Sequence, residues 1–562
     1  MAEICESEGY RASLPLRELS LVTARRVLEN RCSAGLPAEV ARWANAVGNR
    51  LIPLGRPEEA EPFLTETVAL RRQFAGADPE TFRAVLARSL SNLGLLYLDL
   101  GRPQDALESM EEAVAIQREV AVDGQLALLL SNLSMSRREV GEREQALAAA
   151  REAVEVQSRL TPPSWGDLAA ARANLATMLR DAGLLDEAIE EAQKAASLYR
   201  DLRAERSDVF EVEHSQILAH LGWLLAQAGQ GGEALAALQE AEHIDRTPAR
   251  ERPEAGEPQL ALSLLNLGKV FADLGQRDEA LARTREAQAL CRRLAEHRPD
   301  AFERSLAQSL GNLANRWSEL GEWDEALACA REAVNLSRRG FAVRPAVIHS
   351  DLAANLLNQG KMLAGCGRED EALASTREAV ELYRALVIER PRSFKASLAM
   401  GINNLASMLL MRGKAGEALD SLRDVAELGT EVPKTIRAMV TANRGNVLSA
   451  LARHEEAIEA CRDAVVLYRE LSEEQEETFR PQLAGCLYNL GNELAALGRI
   501  AEAVSWHREA VETFLPLFRQ NPDGFRDWMQ QMLFDSLESS REAGVEVAAE
   551  LLHLREELLG ES

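Results

Sequence analysis

The sequence predicts an all-α fold, an α-solenoid of about twelve helical hairpins. Three observations carry this prediction. Near-copies of one segment recur along the 562 residues, each copy holds two stretches of helical apolar spacing, and small residues recur at fixed positions in both stretches. Repeats of this length are typical of arrays in which each unit packs only on its neighbours. We therefore expect one continuous array and not three or four globular domains.

The repeat is followed most easily from one position, the Asn of the Asn-Leu-Gly motif or the residue that replaces it, which we call the anchor. Most successive anchors are separated by the same interval of 46 positions, and three intervals are shorter, at 40, 42 and 39 positions. The anchors are Ala46, Asn92, Asn132, Asn174, His220, Asn266, Asn312, Asn358, Asn404, Asn443, Asn489 and Asp535. This spacing predicts units of one kind along nearly the whole chain.

Each unit is predicted to be a hairpin of two helices, helix A and then helix B. In the second unit, apolar residues recur at helical spacing before Gly101 (Leu93, Leu96) and after it (Leu107, Met110). A glycine nine positions after the anchor can adopt the left-handed conformation that closes a helix. It recurs as Gly101, Gly141, Gly183, Gly229, Gly275, Gly321, Gly367, Gly413 and Gly498.

Two columns of small residues predict where helices A and B touch. The residue 14 positions after the anchor is Ala in every unit, from Ala60 to Ala549. The residue two positions after the anchor is Gly, Ala or Ser in every unit but the last, which has Leu537. Small side chains on both helices allow the two backbones to approach closely.

These residues resemble the tetratricopeptide repeat (TPR). The resemblance rests on Leu93, Gly94, Tyr97, Gly101, Ala106 and Ala113 and on their counterparts in other units. It covers residues 37–562, and the long unit is similar to the kinesin-light-chain-like branch, although the Pro that usually ends helix B is missing. The resemblance implies a right-handed superhelix whose helices A line a concave face, with the anchors pointing into it.

The two ends depart from the repeat and predict caps. We expect residues 1–36 to form an acidic start and one helix near 15–32, residues 37–519 to form repeats 1 to 11, and residues 520–562 to form a divergent last repeat with a capping helix over 543–559. Three phenylalanines at the start of helices A, Phe302, Phe394 and Phe525, are predicted to pack on the preceding hairpin.

Composition excludes several classes of function. The net charge of −25, with no run of Lys or Arg, argues against binding to nucleic acid. No stretch predicts a membrane segment. The seven cysteines are scattered without a Cys-x-x-Cys pair, which argues against disulfides and a zinc site. The N-terminus is acidic and lacks the apolar stretch of a signal peptide, so we expect a cytoplasmic protein.

No motif predicts catalysis, a cofactor or a metal. The Gly-Lys pairs at Gly268 and Gly360 lack the other residues of a phosphate-binding loop. His214 and His220 are six positions apart, the wrong spacing for two metal ligands on one helix face. We interpret His507 as a surface residue. An enzyme whose site is assembled across several hairpins is the remaining alternative, and we predict that the protein is not an enzyme.

The anchors are the best candidates for a binding site. An Asn amide can pair with both the C=O and the N–H of an extended peptide. Nine anchors are Asn: Asn92, Asn132, Asn174, Asn266, Asn312, Asn358, Asn404, Asn443 and Asn489. Three positions further along helix A stand Trp223, Lys269, Asn315 and Lys361, among others. We predict a scaffold that binds an extended segment of a partner protein, with apolar residues and some acidic character.

Three alternatives stay open at this stage. The Asn side chains can bond to neighbouring helices, and the two lysines can be solubilising surface residues. The array can also act as a regulatory sensor, whose superhelix changes pitch when a small peptide or messenger binds and so switches a separate effector. The sequence does not identify the partner.

Overall fold

The fold is all-α. The structure is a computed structural model that describes residues 14–54, 56–162, 164–205, 210–343, 345–389, 391–429, 432–474, 476–547 and 549–559. These residues form 25 α-helices, one short 3-10 turn and no strand. The acidic start at residues 1–13 and the last residues, 560–562, lie outside the described part of the chain. No helix in the described ranges has both the length and the apolarity of a membrane span.

The helices alternate as the repeat predicts. After α1 (Leu14–Ser33), the even-numbered helices are helices A and the odd-numbered helices are helices B. Helices A are α2 (Pro37–Leu51), α4 (Pro79–Asp99), α6 (Gly124–Val140), α8 (Trp165–Asp181), α10 (Glu211–Gln227), α12 (Pro253–Asp273), α14 (Pro299–Glu319), α16 (Pro345–Gly365), α18 (Pro391–Met411), α20 (Lys434–Ala450), α22 (Glu476–Ala496) and α24 (Pro522–Glu542). Helices B are α3 (Pro57–Ala77), α5 (Pro103–Val120), α7 (Arg143–Ser158), α9 (Leu185–Glu205), α11 (Gly231–Glu251), α13 (Arg277–His297), α15 (Trp323–Val343), α17 (Glu369–Glu389), α19 (Ala415–Glu427), α21 (His454–Glu474), α23 (Ile500–Gln520) and α25 (Ala549–Leu559).

The turn between helices A and B is confirmed as a left-handed helix end. Gly101 has φ 71°, and its N–H donates to the carbonyl of Leu98 while the next N–H, of Arg102, donates to Tyr97. The other predicted glycines also have positive φ. The tenth unit carries Ala452 at this position with φ 55°, so the turn geometry is kept even where the glycine is lost.

The close contact between helices A and B is also confirmed. The column of alanines on helices B, from Ala60 to Ala503, is at most 1% exposed. A methyl group added at Gly222 would lie 2.5 Å from Leu238 Cγ and 3.1 Å from the carbonyl oxygen of Ala234. The last unit differs, because Ala549 is the exposed first residue of α25.

The chain divides into two compact units, residues 1–358 and 359–562, and the division falls within α16. In the first compact unit, consecutive helices from α1 to α15 pack against one another. In the second compact unit, consecutive helices from α17 to α25 do so. The equal anchor spacing across this division had predicted one continuous array. The division into residues 1–36, 37–519 and 520–562 stays a prediction.

The N-terminal helix covers the first hairpin. The helix runs from Leu14 to Ser33, close to the predicted 15–32, and packs against α2. Leu21 and Leu28 are at most 8% exposed and share a buried cluster with Val40 of α2.

The C-terminal helix begins later than predicted. The expectation of a helix over 543–559 is wrong at its start, because Gly544 with φ 66° turns the chain and α25 begins only at Ala549. Leu551, Leu554 and Leu558 are at most 8% exposed and join a cluster that contains Phe514. Helix α25 therefore covers the last hairpin, as a cap must.

Aromatic residues join helix B to the next helix A in several hairpins. The ring of Phe525 lies 5.4 Å from that of Phe514 in an edge-on arrangement. Phe302 packs against the buried cluster of the preceding hairpin. The predicted packing is confirmed for these two residues, and Phe82 makes the same kind of contact with Phe74 at 5.3 Å.

Overpacking the contact between helices A and B should destabilise the chain. Ala280 is fully buried, and its carbonyl oxygen lies 3.2 Å from where a methyl group on Gly268 would be. We expect Ala280→Leu to lower the free energy of unfolding by about 1–3 kcal/mol. The matched control is Ala282→Leu on the exposed side of the same helix, which should change it little. Urea unfolding followed by circular dichroism measures both, and equal midpoints for the two variants would contradict the assignment.

A glycine in place of Ala452, in the turn of the tenth hairpin, should stabilise the folded chain. A left-handed alanine costs about 1–2 kcal/mol, part of which glycine loses again in the unfolded chain. We expect Ala452→Gly to gain about 0.5–1 kcal/mol in thermal or urea unfolding. The reverse change, Gly321→Ala at φ 81°, meets no atom within 4 Å and should be destabilising through φ alone. A loss of stability in Ala452→Gly would refute this explanation.

Candidate functional site

The anchors lie at the edge of the core, on a surface that we call the anchor face: the anchors and the residues three positions after them on helices A. Asn266 is half-buried and lies in the sequence between Leu264 and Leu267, which are fully buried. Eight of the nine Asn anchors are half-buried, and Asn312 is exposed. Trp223 and Asn315 are half-buried, whereas Lys269 and Lys361 are exposed. These positions can therefore be reached from solvent.

Five of the anchor amides are used within the protein. Asn92 Nδ2 donates to Asn45 Oδ1 at 3.2 Å, and Asn132 Nδ2 donates to Ser91 Oγ at 3.0 Å. In both cases the acceptor lies on the preceding helix A, at the position just before its anchor. The other three bonds run from Asn174 to Ser134 Oγ (2.7 Å), from Asn443 to Asn403 Oδ1 (3.2 Å) and from Asn489 to Asn446 Oδ1 (2.9 Å). These amides connect consecutive helices A, which was the structural alternative.

The anchors Asn266, Asn312 and Asn358 of the first compact unit differ from these five bonded anchors. Within the described residues, none of these three amides makes a hydrogen bond. The residue just before the preceding anchor is Ala219, Leu265 or Gly311 and offers no polar side chain. For Asn92, Asn132 and Asn443 that residue is polar and accepts the bond. Sequence reasoning treated all nine Asn anchors alike, although this neighbouring column separates several of them. Asn174 and Asn489 bond instead to Ser134 and Asn446, two and three positions after the preceding anchor.

The remaining predicted residues lie in the second compact unit. Asn404 makes no hydrogen bond within the described part of that unit, in contrast to Asn443 and Asn489. Lys361 is exposed there. Which of the predicted residues contact a ligand stays a prediction.

Three of the predicted residues are brought together around Trp223. The Lys269 Nζ lies 5.9 Å from the ring centroid of Trp223, and the guanidinium of Arg180 lies 4.9 Å from it. Trp223, Asn266 and Lys269 line a small pocket of about 80 Å³, together with Asp273. The indole offers a flat apolar surface between two cations, of which Arg180 is paired with Asp181 at 2.5 Å.

His220 replaces Asn as the anchor of the Trp223 unit. Its ring stacks near Trp223 with centroids 6.4 Å apart, and its Nε2 is shielded from solvent without a hydrogen-bond partner among the described residues. Burial, and secondarily the charge of Arg180, lowers the pKa of His220 to about 4. His220 is therefore neutral at pH 7. Sequence reasoning had considered this residue as an anchor and as a metal ligand, but had not predicted its burial.

The interpretation of His507 as a surface residue is wrong. The side chain is 2% exposed and lies against Gly491, where the missing side chain leaves space for the imidazole. Its Nδ1 lies 2.8 Å from Ser539 Oγ and its Nε2 lies 3.0 Å from Asn492 Oδ1. Burial lowers the pKa of His507. Both ring nitrogens are engaged, so His507 is a packed core residue.

Sequence profiles of known families match parts of the chain. Residues 39–119 and 85–159 match one tetratricopeptide-repeat profile, and residues 168–202, 306–341 and 483–514 match a second. Residues 243–302 match the profile of anaphase-promoting complex subunit 5. The comparison with curated proteins finds no match.

Solved structures similar to the chain include three examples. BtubC (BKLC) from P. vanneervenii is 23% identical, with 42% of this chain and 91% of that chain covered and a TM-score of 0.36. Yeast Tom70 is 12% identical, with 92% and 99% covered and a TM-score of 0.41. A tetratricopeptide repeat protein from Parabacteroides merdae is 17% identical, with 53% and 93% covered and a TM-score of 0.32. At these identities and TM-scores, the likenesses say nothing about what the chain binds.

The buried His220 predicts a pH-dependent stability. The folded-state pKa lies below the ordinary value of 6.5, so the unfolded chain takes up a proton first as the pH falls, and stability is lost between pH 6.5 and 4. Relative to His220→Asn, which restores the Asn of the column, the wild type should lose about 2 kcal/mol more between pH 7 and 4.5. Thermal unfolding of both proteins at the two pH values measures this difference. Parallel losses in the two proteins would show that His220 is not the group responsible.

Proposed function

Since the chain is a tetratricopeptide-repeat protein, and such repeats indicate a protein-interaction scaffold, we propose that the anchor face of its first unit binds an extended peptide segment of a partner protein. The observation that carries this proposal is the run of three successive anchor amides without internal hydrogen bonds, Asn266, Asn312 and Asn358, next to Trp223 and Lys269. Each of these amides has one acceptor and two donors left for a ligand.

The three amides would pair with the main chain of the peptide. They stand on successive helices A, and packed helices are typically about 8–10 Å apart. We call each of these three amides a rung. An extended chain advances about 3.3 Å per residue, so one rung would meet the peptide about every third residue. Pairing of this kind reads the backbone and tolerates many side chains.

Selectivity for particular side chains would come from the Trp223 end of the site. The indole can hold an apolar side chain of the peptide, and the exposed Lys269 can pair with a neighbouring acidic one. If each rung contributes about 0.5–1.5 kcal/mol net, three rungs supply roughly 1.5–4.5 kcal/mol. That amount alone gives about millimolar binding or weaker, so the contact with Trp223 is needed for a useful affinity.

The bonded anchors have a different role in this proposal. Asn92, Asn132 and Asn174 hold consecutive helices A in register, and each therefore has at most one N–H left for a ligand. In the second unit, Asn404 and Lys361 offer a similar but smaller set of free groups, whereas Asn443 and Asn489 are structural.

The proposal is tested with peptides selected on the intact chain. A random library of short peptides, long enough to span the three rungs, is selected on the immobilised protein, and the affinity of the recovered peptides is measured by fluorescence anisotropy. Loss of two hydrogen bonds in Asn266→Ala with Asn312→Ala should raise the Kd roughly 5- to 150-fold. Methylating the peptide backbone at alternate nitrogens should weaken binding as well, because the rungs read main-chain groups.

The matched control is Asn92→Ala with Asn132→Ala, which removes two internally bonded amides. This pair should lower the unfolding temperature and leave the Kd within about twofold. Equal effects of the two pairs on the Kd, or selection of no peptide at all, would contradict the proposal. X-ray scattering of the saturated complex separates the scaffold from the sensor, since only a sensor would change the radius of gyration.

A further inference from the structure

The ninth hairpin has an unusually short helix B. Helix α19 has 13 residues, compared with 21 in α13 and 21 in α21. The anchors Asn404 and Asn443 are accordingly closer in sequence than most neighbouring anchors, by seven positions. Seven positions correspond to about two helical turns. Gly429, with φ 76°, turns the chain where α13 would still be helical.

In a complete hairpin these two turns cover the next helix A. Leu290 and Ala295, near the end of α13, share one buried cluster with Leu306 and Leu310 of α14. Leu306 and Leu310 stand six and two positions before the anchor Asn312. The residue one position after that anchor, Leu313, is 6% exposed. Three apolar positions of helix A are thus normally in the core.

The helix A that follows α19 has lost this apolar face. At the same three positions relative to Asn443, helix α20 carries Arg437, Thr441 and Arg444. No other unit has Arg six positions before or one position after its anchor, and no other unit replaces all three apolar residues. The missing turns and the three polar substitutions therefore occur together.

A cleft of about 760 Å³ lies where the missing turns would be. We call it the short-helix cavity, and it is lined by α19, α20 and α21. Its walls include the apolar Leu419, Leu422 and Val466, and its polar groups include Arg437, Thr441 and Arg444. This volume falls in the range of about 300–1,000 Å³ that is typical of small-molecule sites.

The charges that line the cavity are unbalanced, because four arginines face only two carboxylates, Glu456 and Asp463. Arg453 pairs with Glu456 at 2.6 Å, and Arg423 pairs with Asp420 at 2.9 Å. Arg437 and Arg444 make no ion pair among the described residues, and the Nε of Arg437 is buried without a hydrogen-bond partner. A shielded guanidinium N–H without a partner is costly, and a bound anion would satisfy it. A guanidinium offers two parallel N–H groups that match a carboxylate or a phosphate.

A second cleft, in the first compact unit, shows that a short helix B does not by itself create such a site. Helix α5 has 18 residues, and a cavity of about 240 Å³ lies between α5, α6 and α7. There Arg118 pairs with Glu152 at 2.6 Å, and Arg137 pairs with Glu111 at 3.1 Å. Its cations are neutralised within the protein, in contrast to Arg437 and Arg444.

We propose that the short-helix cavity binds a small organic anion, with a carboxylate or phosphate group on an apolar body. The anionic group pairs with Arg437 and Arg444, and the apolar body packs on Leu419, Leu422 and Val466. None of these residues belongs to the anchor face. The site is therefore independent of the proposed peptide groove.

Calorimetric titration of the full chain with defined probes tests this proposal. Decanoate and decyl phosphate supply both parts of the ligand, inorganic phosphate supplies the anion alone, and decanol supplies the apolar body alone. We expect one of the two alkyl anions to bind at a single site, at least tenfold more tightly than phosphate or decanol. Comparing the two anions identifies the preferred head group.

Variants then locate the site. Arg444→Gln removes the charge of an exposed residue. Arg437→Lys keeps the charge but removes the two parallel N–H groups of the guanidinium. Each variant should weaken binding at least tenfold with unchanged helicity. The control is Arg462→Gln, exposed on α21 but outside the cavity, which should bind as the wild type does. Unchanged binding in both cavity variants, or equal binding of decanol, would overturn the proposal. Binding of a two-turn acidic peptide but of neither alkyl anion would also overturn it, in favour of a helical partner.

Discussion

The close approach of helices A and B within each hairpin is the constraint on which the rest of the structure depends. An alanine at most 1% exposed on helix B meets a glycine, alanine or serine on helix A in the first eleven units. Added methyl groups on helix A would collide with the facing side chain or carbonyl. This contact sets the position of each helix A relative to its own helix B. It also determines which residues of helix A remain at the surface to meet neighbouring units or a ligand.

The anchor column shows how one residue type serves two purposes. Where the preceding helix A offers a polar group, as Ser91 and Asn403 do, the anchor amide bonds to it and connects two units. Where that position holds Ala219, Leu265 or Gly311, the amide has no internal partner among the described residues. The difference arises from the neighbour and not from the Asn itself. The repeat can therefore place binding groups in some units and structural groups in others without any change in backbone.

The sequence was sufficient to predict the hairpins, their turns and the contact between helices A and B, because these depend on steric requirements within a single hairpin. It was less informative where the outcome depends on a partner in a neighbouring hairpin. The bond from Asn132 to Ser91 and the burial of His507 beneath Ser539 are of this kind. The boundary between the two compact units has no counterpart in the anchor spacing. The shortened interval between Asn404 and Asn443 was visible in the sequence, but the cavity beside α19 and its unpaired arginines were recognised only from the packing.

The division of the Asn anchors into bonded and unbonded groups is the central claim, and side-chain amide exchange tests it most directly. In the intact chain labelled with ¹⁵N-asparagine, nuclear magnetic resonance resolves the amide protons, and single Asn→Gln changes assign them. The account predicts slow exchange for Asn132, Asn174 and Asn443, and fast exchange for Asn266, Asn312 and Asn358. Equal protection across all nine anchors, or slow exchange at Asn312, would contradict it.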